Sequence, residues 1–160
     1  MNVMTNSTFP QMLISNLRDY YILTKPEVNL PILMTTSTGY YLGNRGPLKI
    51  GGLVSTLVGT LLVASGTATL NEWMERVWDG QMRRTASRPL PSGRVSAREA
   101  FAFGILLSVS GYLYLSLAVN RLSAILALST LLSYLLIYAP MKRNPPYARS
   151  WERFQGLCPR

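Results

Sequence analysis

An all-α, polytopic transmembrane helix bundle of about four spans is the fold class that this sequence predicts. Three observations carry it. Nearly half of the 160 residues are hydrophobic (48%) and only 14% are charged. The apolar residues are segregated into runs near 28–43, 50–70, 100–119 and 122–140. The basic residues lie between those runs and do not spread over one face, which is a pattern of membrane topology and not of nucleic-acid binding.

Each span follows from length and polarity. The last three runs are long enough, at 1.5 Å per residue, to cross a hydrocarbon core of roughly 30 Å. The first is shorter and carries Asn29, Thr35, Thr36, Ser37 and Thr38, so it is expected either to span with polar contacts to neighbouring helices or to enter the bilayer only partly. The run from Gly43 to Pro47 breaks the chain between spans one and two, and Asn120–Arg121 makes a tight turn between three and four. Ser55, Gly59, Ala64, Ser65, Gly66 and Ala68 make span two a close-packing interior helix.

Of the 16 basic residues, Arg45, Lys49 and Arg121 fall on one side of this arrangement and all the others on the opposite side. The excess places both termini and the central loop in the cytoplasm, and the expected location is a cell inner (plasma) membrane, which the chain crosses several times. Residues 1–17 lack a continuous apolar core, so no cleavable leader is expected there. Histidine is absent and Cys158 is the single cysteine. That excludes a disulfide framework, a CxxC redox pair and a His-ligated zinc site, and leaves a hard cation bound by oxygen.

The chemistry concentrates at the end of span two, where the sequence runs from Asn71 to Asp79. Steps of four advance about 40° around a helix, so Asn71, Glu75 and Asp79 share one face and Glu72 points about 100° away from Asn71. Aligned carboxylates near a membrane repel unless a cation lies between them, and Mg²⁺ suits an oxygen donor set shared with phosphate. The plainer alternative is a helix end with ordinary solvated charges. Arg83, Arg84 and Arg88 follow at once, in Arg-Thr-x-x-Arg-Pro-Leu-Pro, with Pro89, Pro91 and Gly93 expected to stop the helix and fold the loop back toward it. Topology alone also accounts for basic residues in such a loop, though not for their spacing.

The run from Asn71 to Gly93 resembles the first aspartate-rich motif of the UbiA-type intramembrane prenyltransferases. The flanks Leu23-Thr24-Lys25-Pro26-Glu27-Val28, Thr35 to Tyr40, Leu70 to Arg76 and Tyr138 to Arg143 are similar to the heme-farnesylating branch of that family. The resemblance covers about residues 18–143 and implies the first half of a nine-helix bundle. It departs at Glu75, where an aspartate is more usual. It implies catalytic and Mg²⁺-holding roles for Asn71, Glu75 and Asp79, and diphosphate-binding roles for Arg83, Arg84, Arg88, Lys142 and Arg143. Farnesyl diphosphate and heme B would be the substrates, heme O the product and the bilayer the setting, with no nucleic-acid partner. The farnesyl tail would run against residues such as Leu57, Leu61, Val63 and Leu106. Acceptor chemistry on 4-hydroxybenzoate or chlorophyllide, and a non-catalytic four-helix membrane protein, are the alternatives. Residues 1–143 would form the prenyltransferase part, and 144–160, polar and Pro-containing, a divergent tail of the kind left by truncation or a frameshift; a chain so truncated would be expected to insert in the membrane without farnesylating heme. Tyrosines and tryptophans near span ends, Trp73 and Trp78 among them, are expected mainly as interfacial anchors.

Overall fold

Lys25 and Pro26 break the chain at its first joint. The proline ring disfavours the right-handed helical region for the residue before it, and Lys25 adopts φ 48° and ψ 64°, the left-handed region, between two helices. The computed structural model describes residues 17–44, 46–80, 85 and 88–138. Its elements are α1 (residues 17–23), α2 (Pro26–Gly43), α3 (Ile50–Asp79), α4 (Ala97–Ala118) and α5 (Arg121–Ser133), which continues as a π-helical turn over Tyr134–Tyr138. No strand occurs among the described residues, as expected for the all-α class.

Among the described residues two helices, over Ile50–Val77 and Ala97–Ala118, are long and apolar enough to cross a membrane; Arg121–Ile137 is apolar but shorter. α2 runs for 18 residues with Pro31 inside it. Its hydroxyls behave differently from the neighbour contacts considered above. Thr35, Thr36, Ser37 and Thr38 donate to carbonyls three or four residues back on their own helix, at 2.8–3.1 Å. Back-bonding of this kind removes the cost of a lone hydroxyl in lipid without a partner helix. Asn29 does cross between helices: its Nδ2 donates to Ser65 Oγ at 3.0 Å on α3 and to Thr24 O at 2.9 Å across the joint.

The α3–α4 crossing is the tightest in the bundle. Ala100, Gly104, Ser108, Gly111 and Leu115 form one buried stripe on α4, recurring at three- and four-residue steps. A Cβ on Gly66 would lie 2.8 Å from Ser108 N and 2.9 Å from Gly104 O, and one on Gly111 would lie 2.8 Å from Val63 N. Backbones this close gain dispersion contacts where lipid supplies no hydrophobic drive. The interior character expected of span two is therefore matched by a stripe of small residues, Ala100, Gly104, Ser108 and Gly111, on α4.

Helix ends are capped by side chains. Ser96 and Glu99 form a reciprocal capping box at the start of α4. Asn120 Oδ1 accepts from Ser123 N at 2.7 Å to open α5 only three residues after α4 closes, the tight turn expected there. Within 88–95, Pro89 O accepts from Arg94 N and Val95 N at 3.0 and 3.2 Å, and Gly93 supplies the positive φ of 77°. This folds the loop back as expected: Leu90 and Val95 are buried with Leu23 and Ala100, against Tyr20 and Trp73.

Candidate functional site

Four charged side chains meet where the α1–α2 joint, the end of α3 and the returning loop come together. Arg88 Nη1 donates to Asp79 Oδ2 at 2.8 Å and stands 3.9 Å from Glu72 Oε1. Lys25 Nζ lies 3.3 Å from the same Glu72 oxygen. Thr85 Oγ1 donates to the Asp79 carbonyl at 2.8 Å, closing the helix end onto the loop. A further pair, Arg94 with Asp19 at 3.5 Å, ties the loop to α1. Opposite charges held at these distances in a low-dielectric region attract strongly enough to offset part of their desolvation.

The three oxygen-bearing residues singled out from spacing do line up on α3, in two groups. Asn71 Nδ2 donates to Glu75 Oε2 at 3.3 Å, while Asp79 is turned toward Arg88. Asn71 Oδ1 is buried without a hydrogen-bond partner. An orphaned buried acceptor is costly and suits an electropositive ligand; together with Glu75 it makes an all-oxygen donor set of the kind a hard cation takes. Among the described residues no three or more Asp, Glu, His or Cys side chains converge as a metal cluster, so Asn71 would be an essential member of any such set.

Arg88 is in the site. Arg83, Arg84, Lys142 and Arg143 lie outside the described residues. Glu72, Lys25, Asp19 and Arg94 were not singled out as site residues from the sequence. Glu72 does point away from the Asn71 face, and that direction leads into the bundle: its side chain is 3% exposed and its Oε2 has no hydrogen-bond partner. The available signal was the Lys25–Pro26 pair, which marks a break that can bring a cation next to α3.

Trp73 packs against Phe101, with ring centroids 4.8 Å apart, and the Arg76 guanidinium lies over the Trp73 ring, 4.8 Å from its centroid, and donates to Trp73 O at 2.7 Å. Trp78's side chain lies outside the described set.

A cavity of about 750 Å³ runs between α2, α3 and α5. Lys25 and Asn71 stand at its charged end, and Val28, Ile32, Val63, Leu126 and Leu131 supply apolar walls. From Thr56 to Asn71 it follows α3 for roughly 22 Å at the helical rise. Of the four residues expected along a tail, Val63 lines it. Leu61 and Leu106 are exposed on the outer surface, and Leu57 is not among the lining residues, because apolarity alone does not distinguish the cavity face from the lipid face. A second cavity of about 350 Å³ opens beside the joint and is lined by Lys25, Glu27, Glu72 and Arg88.

Long apolar helices, closely packed through small residues and carrying an ion-paired polar cluster at one end, define an integral membrane helix bundle with a polar site at its rim. The chain belongs to the UbiA prenyltransferase family, whose sequence profile matches residues 32–151. It is 45% identical over 152 residues to a protoheme IX farnesyltransferase of Solibacter usitatus, covering 89% of this chain and 52% of that one. It is 40% identical to the protein of that name from Koribacter versatilis, over 91% of this chain and 48% of the other, and 38% identical to the one from Aquifex aeolicus, over 89% and 49%. The chain thus spans about half the length of the curated relatives it matches. The family match continues into the compositionally distinct segment after Arg143. No solved structure matches the chain.

Proposed function

We propose that the chain carries a metal–diphosphate site for transfer of a farnesyl group from farnesyl diphosphate to heme B, giving heme O. The observation that supports this reading most is a juxtaposition. The oxygen donors Asn71 and Glu75 and the cations Lys25 and Arg88 gather at one end of α3, and an apolar cavity long enough for an extended isoprenoid chain starts from Lys25 and Asn71.

Asn71, Glu75 and Asp79 would hold Mg²⁺, which when bound neutralises phosphate charge as the leaving group departs. Arg88, with Arg83, Arg84, Lys142 and Arg143, would take the remaining diphosphate oxygens through charge-assisted hydrogen bonds. The cavity walls would hold the isoprenoid tail and exclude water from the allylic carbon. In the reaction the allylic C–O bond breaks and its electron pair leaves with diphosphate. The vinyl double bond of heme B supplies the pair for the new C–C bond. Water adds to the resulting cation and loses a proton, leaving the hydroxyethylfarnesyl group. Stabilising the departing charge is the protein's main contribution. The loop carrying Arg88 would face the cytoplasm of a cell inner membrane, so that the charged diphosphate head would meet the site from the aqueous side while the apolar tail lies among the helices.

The test uses the chain in nanodiscs. Farnesyl thiodiphosphate should bind in the presence of Mg²⁺ and lose at least tenfold in affinity when the metal is chelated. Incubation of the chain with farnesyl diphosphate and either heme B or 4-hydroxybenzoate, followed by mass spectrometry, reads the acceptor. Metal-independent binding, or prenylated 4-hydroxybenzoate without heme O, would overturn the reading.

A further inference from the structure

Glu72 is unlike the other acidic residues at the end of α3. Its side chain is 3% exposed, against 11% for Asp79, and it reaches toward the α1–α2 joint at the edge of the smaller cavity. One of its oxygens serves two cations on separate segments: Lys25 at 3.3 Å from the α1–α2 joint, and Arg88 at 3.9 Å from the returning loop. Lys25 holds a left-handed backbone conformation that lysine adopts only at some cost, and its side chain lines both the 750 Å³ and the 350 Å³ cavities. Arg88 lines the smaller one. Two long, rotamer-rich cations at a cavity rim would ordinarily sample many positions, and an anion binding them would have to order both.

We infer that Glu72 is a positioning residue: its buried carboxylate pins Lys25 at the wall between the two cavities and Arg88 against Asp79, so that Lys25, at the charged end of the larger cavity, and Arg88, at the smaller one beside it, are pre-arranged as a pair for an anionic headgroup. The inference rests on the proposed diphosphate reading for the identity of that anion, and on the ion-pair geometry alone for the pinning. Glu72 does not touch the anion; it acts through Lys25 and Arg88. Burial makes the pair effective, since a surface carboxylate would hold the cations weakly.

The experiment uses the full chain in nanodiscs, with inorganic pyrophosphate and Mg²⁺ as the probe and the melting temperature followed alongside. Glu72→Gln should weaken pyrophosphate binding about tenfold, and Glu72→Asp should recover most of the loss. The exchanged pair, Lys25→Glu with Glu72→Lys, keeps an ion pair between joint and helix but moves the cation onto α3. It should restore the melting temperature without restoring pyrophosphate affinity. Recovery of both by the exchanged pair would show a merely structural bridge and overturn the inference, as would wild-type affinity in Glu72→Gln. A second arm needs no ligand. With Cys158→Ser as background, spin labels at Ser92 and Val77, both exposed, report the loop against α3. A narrow distance distribution that broadens in Glu72→Gln is expected, and identical distributions overturn the pinning. If the unsubstituted chain binds no pyrophosphate, the diphosphate reading fails and the label distances alone decide the role of Glu72.

Discussion

Asp79 and Glu72 lie seven residues apart on one helix and share a single guanidinium, yet their surroundings give them different tasks. Asp79 caps the end of α3, with Arg88 on its carboxylate and Thr85 on its carbonyl. Replacing it by Asn keeps the shape and removes the charge. A charge-assisted hydrogen bond contributes about 1.5–3 kcal/mol, and with the Arg88 side chain 32% exposed solvent screening brings Asp79→Asn below that range, to about 1 kcal/mol of stability. In binding, Asp79→Asn and Glu75→Gln should each raise the Mg²⁺ concentration needed for half-maximal pyrophosphate binding severalfold. Glu72→Gln should lower the affinity for pyrophosphate at saturating Mg²⁺ and leave that midpoint in place. Isothermal titration at several Mg²⁺ concentrations separates the two patterns, and an equal midpoint shift in all three variants would contradict the division of roles.

At the scale of elements, the α3–α4 crossing decides whether the site has a frame. Gly66 faces Ser108 N and Gly104 O at distances where a side chain displaces backbone, and backbone cannot yield as a flexible side chain can. Gly66→Val should cost about 3 kcal/mol, read as a large drop in melting temperature in detergent or as loss of folded protein. Gly39→Ala on α2 is the control: a Cβ there meets nothing within 4 Å, and the gain in helix propensity makes it neutral or stabilising by about 0.5 kcal/mol. Equal behaviour of the two variants would show that the crossing is not tight in the membrane. α2 illustrates a different economy of polarity. Its threonines and serine are satisfied on their own helix, while Asn29, bonded to Ser65, makes a polar link between α2 and α3.

For the whole molecule the charge asymmetry makes a topological prediction. The joint at Lys25, the end of α3 and the loop through Ser92 belong to one end of the bundle, while Asn44, Gly46, Lys49 and Asn120 belong to the other. In a Cys158→Ser background, Ser92→Cys should react with an impermeant thiol reagent in inverted vesicles and stay protected in right-side-out ones, and Gly46→Cys should do the reverse. Labelling of Ser92→Cys from the outer face would defeat the cytoplasmic placement of the site.

Class and helix order were legible in the amino-acid order because hydrophobic segregation, breaker residues and small-residue spacing are local properties that any single stretch displays. The helical alignment of Asn71 with Glu75, and the backward fold of the loop at Pro89, Pro91 and Gly93, were legible for the same reason: helical geometry and proline chemistry act over a few residues, whereas the turn of Asp79 toward Arg88 was not. Tertiary structure alone decided which of the helix faces is buried, hence which apolar residues line the cavity and which meet lipid, since both surfaces are equally apolar. It also decided the partners of the charges. Lys25 is 47 positions from Glu72 in sequence and 3.3 Å from it in space, and no local rule links a cation at a helix joint to a carboxylate on another helix. Pairing of buried charges is set by which segments pack together, because a carboxylate removed from water takes whatever cation the packing brings within reach.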